Sequence, residues 1–510
     1  MKKNLCTALI LVCALVLSGL ATVYAAPMES FNMGLEGDAK NLDPHRATDT
    51  MSFTVLRHIN EPLVTVDGRT KKLVPVLAER WEMLDPETYK FYLKKGVKFH
   101  NGEELTAEDV VFSLKRATQK ECVHAGSRGR LIDPDGFKIV DRYTVIVKTR
   151  GPIGGWLGSM KHPFASIFSK KAVEEGGEEY FRNPVGTGPF VFKNWVKGEK
   201  IELERFEDYH GKPANFKKLT FRVMPDDSSR VIALETGKVD MIYGVPPSEV
   251  ERLNNSPKTK VVLAPGLRLR YLGMNTQKKP LSDPKVRLAI EYAINKEAYG
   301  QVVYQGNSDQ PDGPLIPAST FTPKNAKPFP YDPKKAKALL KEAGYPDGFT
   351  MELRTGNLQD NVNGATVIQS MLSQIGITVD IKVFEPGALV SKMVNEDDYD
   401  SYIAQWGMQT SRSAGTFWLS LFSSGGIGSS NWARLNDAKV DEYIQAAQHC
   451  VDAKKHEELL QKIWDRLNTV HPIVPLVVPK ELYGARKDLG GLEELADGQL
   501  NYLGNLYLKD

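Results

Sequence analysis

The chain has 510 residues, with 66 Lys and Arg against 63 Asp and Glu and a formal net charge of +3. A chain of this length is too long for one hydrophobic core, so we expect two or more domains. The basic residues are spread along the chain, which excludes the concentrated positive footprint of a nucleic-acid-binding protein.

The first 25 residues have the pattern of a secretory signal peptide. Lys2 and Lys3 precede an apolar run from Leu5 to Leu17, and the small residues that a signal peptidase requires end at Ala25. The alternative is a membrane anchor, but the run is too short to span about 30 Å of hydrocarbon. Leu20 stands where a lipoprotein would need a cysteine. We therefore expect cleavage after Ala25 and a mature protein, with a formal charge of +1, free in the periplasm.

Cysteine usage argues against metal or redox chemistry. Cys6 and Cys13 leave with the signal peptide, so only Cys122 and Cys450 remain in an oxidising compartment. They are far apart and outside any CxxC spacing. A single disulfide between them stays open, and we expect no metal and no cofactor.

The first half of the chain reads as strands and short helices. Residues 89–93, 144–148 and 201–206 are rich in residues that favour strands, and two of these runs alternate cleanly. Thr106 with Asp109 three residues later is a capping-box variant, which predicts that a helix begins there. This part of the chain is therefore predicted to mix α and β structure.

The second half alternates helix and strand. Lys334–Ala343 has a helical pattern that ends at Gly344, and Thr366–Ile375 likewise stops at Gly376. The alternating run 379–383 then predicts a strand. The sequence shows no internal repeat, and the fold class predicted for the whole chain is α/β.

A set of short motifs occurs in a fixed order along the chain. They are Asn41–His45, Glu61–Val64, Leu77–Trp81, Lys94–Arg116, Gly186–Phe190, Ala233–Asp240, Asn275–Thr276, Val286–Ile290 and Leu340–Pro346. Each motif is weak alone, but their joint order resembles the extracellular solute-binding proteins of ATP-driven (ABC) importers, specifically the peptide/nickel-binding group, family 5. The resemblance covers essentially the whole mature chain and is nearest to the dipeptide- and glutathione-binding members.

The resemblance implies a two-lobe periplasmic binding protein of type II, with a ligand cleft between the lobes. The first lobe would comprise residues 26–267 and 479–510, with an extra subdomain at about 65–182, and the second lobe residues 268–478. Ligand contacts to both lobes would favour the closed state, which the permease subunits of the importer would recognise. We expect the receptor to be a monomer.

The loop 405–418 is where the resemblance places the end of the ligand that carries an amine. Peptide-binding relatives have an aspartate there, whereas this chain has Gln409, and the loop's charged residue is Arg412. A buried ammonium needs an anionic partner to offset its desolvation, so ordinary dipeptide binding is not expected. Trp406 and Trp418 are candidates for the pocket's apolar walls, although core packing explains Trp418 equally well.

Two arginines are candidates for binding an anionic group of the ligand. Arg354 lies within one position of the arginine that, in dipeptide-binding relatives, holds the peptide's carboxylate. Arg412 has the same planar guanidinium group, which can donate two parallel hydrogen bonds to a carboxylate or phosphate. The alternative for Arg354 is an arginine at a strand end that pairs with a neighbouring acid. The alternative for Arg412 is a loop arginine that is exposed to solvent.

The first lobe contributes further candidates by the same resemblance. Gly37, Asp38 and Ala39 correspond to a strand edge that pairs with the bound peptide backbone. Asp38 has a turn or cap role as its alternative. Tyr243 is a further candidate, and Lys161 with His162 ranks lower, since a lone histidine is more often structural.

The predicted function is a periplasmic receptor for a peptide or peptide-like, anionic ligand. Nickel chelates, opines and oligosaccharides are alternatives on the same fold. The rival class is a secreted serine hydrolase, but the sequence has neither a Gly-x-Ser-x-Gly elbow nor an HExxH motif. Its one Ser-x-x-Lys, Ser282–Lys285, is explained by Asp283 as an N-cap followed by Pro284. We therefore expect no catalytic activity.

Overall fold

Two large β-sheets organise this computed structural model, which describes residues 28–67, 70, 72–126, 128–408, 413–493 and 502–509. The predicted signal peptide lies outside the described residues. The strands are β1 (Met28–Leu35), β2 (Val64–Val66), β3 (Leu73–Pro75), β4 (Ala78–Asp85), β5 (Thr88–Leu93), β6 (Ile132–Asp141), β7 (Thr144–Thr149), β8 (Phe190–Val196), β9 (Lys200–Arg205), β10 (Phe216–Val223), β11 (Met241–Tyr243), β12 (Thr259–Ala264), β13 (Arg268–Met274), β14 (Ser308–Asp309), β15 (Phe349–Gly356), β16 (Ile377–Phe384), β17 (Ser401–Gly407), β18 (Ile473–Pro479), β19 (Glu481–Arg486), β20 (Leu489–Gly490) and β21 (Tyr507–Leu508).

Helices flank the sheets. The α-helices are α1 (Thr50–Ile59), α2 (Ala107–Arg116), α3 (Trp156–Ser159), α4 (Lys170–Gly176), α5 (Asp227–Glu235), α6 (Val250–Asn255), α7 (Pro284–Ala293), α8 (Lys296–Tyr304), α9 (Pro333–Glu342), α10 (Gln359–Ser373), α11 (Pro386–Asn395), α12 (Ala414–Phe422), α13 (Ala438–Gln448) and α14 (Ala453–Val470). None of the described helices is long and apolar enough to span a membrane.

The local signals in the sequence account for many of these elements. The three strands predicted in the first half are confirmed as β5, β7 and β9. The capping box is confirmed as well: the backbone N–H and the hydroxyl of Thr106 each donate to Asp109 Oδ2 at 2.8 Å, and α2 follows. Asp283 accepts from the Lys285 N–H at 2.8 Å and caps α7 as predicted.

The sheet order defines two lobes. A seven-stranded sheet has the order β12-β19-β11-β1-β10-β9-β8, and we call the part of the chain around it the first lobe. A six-stranded sheet has the order β14-β18-β13-β17-β15-β16, and we call its surroundings the second lobe. A separate four-stranded sheet, β4-β5-β7-β6, lies within the range predicted as the extra subdomain.

The second lobe buries both faces of its sheet. Leu269 and Tyr271 of β13 belong to one hydrophobic core, and Leu272 and Met274 to another. Successive side chains of a strand point to opposite faces, so one strand can serve two cores. Helices on both faces then complete an α/β sandwich.

The chain passes between the two sheets twice. Residues 265–267 connect β12 to β13, and Lys480 alone connects β18 to β19. These short connections hold the linked strand ends close together. The lobe boundaries stay a prediction, and the assignment of strands to sheets is consistent with them.

Candidate ligand-binding cleft

The two short crossings bring the carboxyl edges of both sheets face to face. In the first lobe β1 runs parallel to β10 and β11, so their carboxyl ends share one edge with the start of β19. In the second lobe β15 runs parallel to β16 and β17, and Arg268 at the start of β13 pairs with Gly407 at the end of β17. Ligands of open α/β sheets bind at such carboxyl edges. The space between the two edges is therefore the candidate cleft.

Four polar side chains meet where the edges join. The Tyr243 hydroxyl donates to Glu481 Oε2 at 2.8 Å, and Arg268 Nη1 lies 3.9 Å from Glu481 Oε1. Tyr243 and Glu481 are buried, whereas 32% of the Arg268 side chain is exposed. Glu36, directly after β1, is exposed and interacts electrostatically with Arg268 and Glu481. Although part of the Glu36 side chain is exposed, desolvation by the surrounding protein outweighs the positive charge of Arg268 and raises the pKa of its carboxyl above the ordinary value.

The sequence-predicted first-lobe residues lie beside this cluster. Asp38 accepts hydrogen bonds from Trp195 Nε1 at 3.0 Å and from the Gly198 N–H at 2.7 Å, which ties the segment to the turn between β8 and β9. This matches the turn or cap role that the sequence left open for Asp38. Gly37 is half-buried and Ala39 is buried at the same edge.

Arg354 is held by acidic neighbours inside the second lobe. Its Nε donates to Glu352 Oε1 at 2.6 Å, its Nη1 to Glu396 Oε2 at 2.7 Å and its Nη2 to the Asp398 carbonyl at 3.3 Å. The side chain is 7% exposed. This geometry matches the alternative of an arginine paired with neighbouring acids, because a ligand carboxylate would have to displace existing partners.

The two tryptophans of the loop occupy different environments. Trp418 is fully buried, donates its indole N–H to the Pro314 carbonyl at 2.7 Å and contacts the ring of Trp464, which matches the core-packing alternative. Trp406 is half-buried, and it pairs with Leu269 near the edge of the sheet. Trp406 also packs partly against the hydrophobic core of the second lobe, and its role as a pocket wall stays a prediction.

Other candidates lie outside the cleft or outside the described residues. Gln409 and Arg412 lie outside the described residues. Lys161 and His162 are buried, and His162 Nδ1 accepts from the Phe164 N–H at 3.0 Å. Burial and the charge of Arg128 lower the pKa of His162, so its ring is neutral. These contacts are those of a structural histidine.

No group of described residues has the composition of a metal site with three or more His, Cys, Asp or Glu ligands. Cys122, which is buried, and Cys450 are both free thiols. The disulfide that the sequence left open is therefore not formed in this structure.

The lobes also touch at a second place, far along the chain from the crossings. The Gly154 N–H donates to the Gln448 carbonyl at 2.7 Å, and His449 Nδ1 lies 3.0 Å from the Pro152 carbonyl. Beside this contact is a cavity of about 370 Å³. It is lined from the first lobe by Val66, Leu73, Gly155 and Gly158 and from the second by residues including Phe321, Ser413, Ala414, His456 and Leu460. Ser413 and Ala414 belong to the predicted ligand loop 405–418, so this part of the loop lines an interlobe cavity.

The charged groups that meet at the crossings were missed by the sequence analysis. No local motif connects Glu36, Arg268 and Glu481, because any two of them are more than 200 residues apart in the sequence. The one available signal was positional: Glu36 directly follows β1, and Arg268 and Glu481 are the first residues of the strands that follow the two lobe crossings.

This architecture is shared with proteins of established structure. The peptide-binding protein DppA of Helicobacter pylori, solved in complex with the peptide STSA, is 31% identical, has a TM-score of 0.77 and covers 94% of this chain and 98% of its own. The oligopeptide-binding protein AppA of Bacillus subtilis, solved with a nonapeptide, is 25% identical with a TM-score of 0.74, at 95% and 100% coverage.

Sequence comparison agrees with the structural comparison. Residues 72–428 match the profile of the bacterial extracellular solute-binding proteins, family 5. This chain is a member of that family. Among curated relatives, the glutathione-binding protein GsiB of Salmonella paratyphi A is 29% identical over 491 residues, which are 94% of this chain and 95% of that protein. The predicted family and the two-lobe periplasmic-binding-protein fold are confirmed, and the relatives of this family 5 protein are binding proteins rather than enzymes.

Proposed function

We propose that this family 5 protein captures a short peptide or peptide-like ligand between its lobes and delivers it to the permease subunits of an ABC importer. The observation that carries the proposal is the meeting of two carboxyl edges at the crossings. Charged groups and Trp406 lie at those edges, where both lobes can contact one ligand. A ligand that contacts both lobes stabilises the closed arrangement over the open one.

The arrangement of charges refines the anionic-ligand prediction. Arg354 already has three partners, whereas Arg268 is partly exposed and 3.9 Å from its nearest carboxylate oxygen. Arg268 is therefore the described arginine that we assign to a carboxylate of the ligand. The names of the relatives, which mention peptides and glutathione, support the same ligand class.

The proposal includes location and partners. Cleavage after Ala25 would release a protein without a lipid anchor into the periplasm, where it would act as a monomer without a cofactor. No catalytic role is assigned to any residue. The permease would recognise the closed state.

The first experiment combines native mass spectrometry of the mature protein purified from periplasm with thermal shift. The panel contains dipeptides to tetrapeptides, glutathione and nickel chelates. A ligand at a hundred times its dissociation constant adds about 2.7 kcal/mol to the free energy of unfolding. We expect a co-purified peptide-like mass and an increase in Tm with a peptide or glutathione. A shift with nickel chelates alone, or turnover of a panel compound, would contradict the proposal.

Closure can be tested at the second interlobe contact. A Cβ added at Gly154 would lie 2.6 Å from the carbonyl oxygens of both Ala447 and Cys450 and 2.7 Å from His456 Nδ1. Gly154→Ala therefore forces the lobes apart at this point. If the contact belongs to the ligand-bound state, the loss of about 1–2 kcal/mol weakens binding roughly fivefold to thirtyfold.

The measurement is isothermal titration with the peptide that gives the largest thermal shift. Gly387→Ala is the matched control, because a Cβ at Gly387 meets nothing within 4 Å. Unchanged affinity in Gly154→Ala would show that this contact does not depend on ligand-induced closure.

A further inference from the structure

A cavity of about 420 Å³ lies within the first lobe. Three segments contribute to its lining: residues 40–46 before α1, residues 178–183, and residues 192–197 of β8 and the turn that follows it. All of these lining residues belong to the first lobe. A molecule bound there contacts the same lobe in the open and the closed arrangement, so it does not drive closure. The cavity is therefore not a site for the ligand that the cleft captures.

The cavity runs along the open edge of β8. This strand is the last in the order of the seven-stranded sheet and pairs with β9 on its other side. Phe192 and Trp195 pack against the core of the first lobe, whereas Asn194 lies on the opposite face and donates to Glu202 Oε2 at 3.2 Å. Side chains from both faces line the cavity, so it lies against the edge of the strand. An open edge presents backbone N–H and C=O groups that can pair with an added strand.

Aromatic side chains form the apolar part of the lining. Phe181 is buried, and Phe192 and Trp195 are half-buried. The Trp195 indole N–H donates to Asp38 Oδ1 at 3.0 Å, and the Gly198 N–H donates to Asp38 Oδ2 at 2.7 Å. One carboxylate thus fixes both the tryptophan ring and the turn after β8. A wall that is already held in place loses little conformational freedom when another side chain packs against it.

The charged lining residues leave positive charge without partners. The acids of the lining are all paired with arginines: Asp43 with Arg116, Glu178 with Arg46 and Glu179 with Arg182. Lys40 and Lys197 also line the cavity, are exposed and have no acidic partner among the described residues. Lys197 Nζ lies 5.4 Å from the centre of the Trp195 ring. The cavity therefore favours an anionic occupant.

We propose that this cavity docks an extended acidic segment of a partner protein, which adds a strand to the open edge of β8. Hydrogen bonds along the strand edge hold the backbone of such a segment. Its carboxylates meet Lys40 and Lys197, and an apolar side chain packs on Trp195. The inference goes beyond the proposed function, because the ligand of the cleft contacts both lobes whereas this segment binds to the first lobe alone.

Hydrogen exchange followed by mass spectrometry tests docking at β8 itself. The probe is acetyl-Glu-Glu-Phe-Glu-Glu-amide, whose blocked ends remove the charged termini of a peptide ligand. We expect it to slow amide exchange in the fragment that covers residues 190–197, whereas the same peptide with lysine in place of each glutamate does not. Two further probes are methylated on complementary sets of alternate backbone nitrogens. One of them should lose the protection, because β8 pairs with one side of an extended chain.

A double variant, Lys40→Gln with Lys197→Gln, tests the charges. We expect its affinity for the acidic probe, measured from the concentration dependence of protection, to fall at least tenfold. Lys212→Gln with Lys238→Gln is the matched control, because both lysines are exposed, lie in the first lobe and contribute to neither the cavity nor an ion pair among the described residues. Both double variants should keep the wild-type Tm, since they remove exposed charges without acidic partners. The acidic and basic probes test the charges on wild type without any substitution.

Several results would overturn the docking of an acidic segment. They are unchanged exchange at residues 190–197 with the acidic probe, equal protection by the basic probe or by both methylated probes, and unchanged affinity in the Lys40 and Lys197 double variant. Equal protection by inorganic phosphate or free glutamate would assign the cavity to a small anion and overturn the proposal as well. Each of these results leaves the proposed peptide receptor standing, because its ligand binds between the lobes.

Discussion

Acidification from about pH 7.5 to about pH 5 is expected to lower the protein's free energy of unfolding by at least roughly 4–6 kcal/mol. Three buried histidines in the first lobe, His45, His58 and His100, account for this amount, and His162, whose pKa burial also lowers, adds to it. Burial lowers the pKa of His45 to about 3 and of His58 and His100 to about 4. In the unfolded chain a histidine titrates near 6.5.

Hydrogen bonds explain why these rings stay neutral. His58 Nε2 accepts from the Leu503 N–H at 3.2 Å, while Nδ1 lies 2.8 Å from the Thr54 carbonyl and donates to it. One ring nitrogen therefore needs a lone pair and the other needs a proton. His45 and His100 are held in the same way, each with one donor and one carbonyl partner. Protonation would break the accepted bond in every case.

The sign follows from proton uptake. Below about pH 6.5 the unfolded chain binds a proton at each of these histidines, whereas the folded protein does so only near the lowered pKa. Stability is therefore lost as the pH falls, by about 2 kcal/mol for each ring at about pH 5. Glu36 and Asp109, whose pKa values burial raises, act in the opposite direction and reduce the sum.

Urea unfolding followed by tryptophan fluorescence at the two pH values checks this prediction. His58→Gln serves as the internal comparison: it should be less stable at neutral pH but should lose about 2 kcal/mol less on acidification. An equal pH dependence in the wild type and this variant would contradict the assignment to the buried rings.

The elements that the sequence predicted well depend on neighbouring residues. The capping box of Thr106 and Asp109 and the N-cap Asp283 act within one helical turn, so the sequence contains the whole interaction. The start of α10, by contrast, was not predicted correctly. The helix begins at Gln359, seven residues before the predicted Thr366, because its N-cap Leu358 has an apolar side chain that makes no capping hydrogen bond and leaves no signal in the sequence.

The site was harder to predict because its interactions are long-range. Glu352 is two residues from Arg354 on the same strand, so that pair could be expected from the strand period. Glu396, 42 residues away, completes the enclosure of Arg354 and has no signal near it in the sequence. The contacts of Glu481 with Tyr243 and Arg268 are likewise long-range, and the lobe crossings bring these residues together.

Gly266→Ala is expected to impair both stability and ligand binding, because the two crossings touch at this residue. A Cβ at Gly266 would lie 2.2 Å from the Pro479 carbonyl oxygen and 2.6 Å from Val478 Cγ1. The backbone oxygen cannot move aside as a side chain would, and Pro479 directly precedes the other crossing, Lys480. The substitution therefore has to separate the two crossing segments.

Such a separation has two consequences of different kinds. Strain from overpacking should cost about 1–3 kcal/mol of unfolding free energy. Since Arg268 and Glu481 flank the crossings, their 3.9 Å approach and the angle between the lobes change together. The geometry required for one ligand to contact both lobes is then lost, and we expect affinity to fall at least tenfold.

Thermal denaturation, peptide titration and small-angle scattering with and without peptide together check this prediction. Gly425→Ala is the control, because its added Cβ would meet Ser423 Oγ at 3.7 Å, an ordinary contact. Wild type and the control should contract on binding, whereas Gly266→Ala should not. If Gly266→Ala loses stability but keeps its affinity and contraction, the crossings are structural links and closure of the cleft pivots elsewhere. If it keeps all three properties, the close approach of Gly266 to Pro479 does not set the hinge.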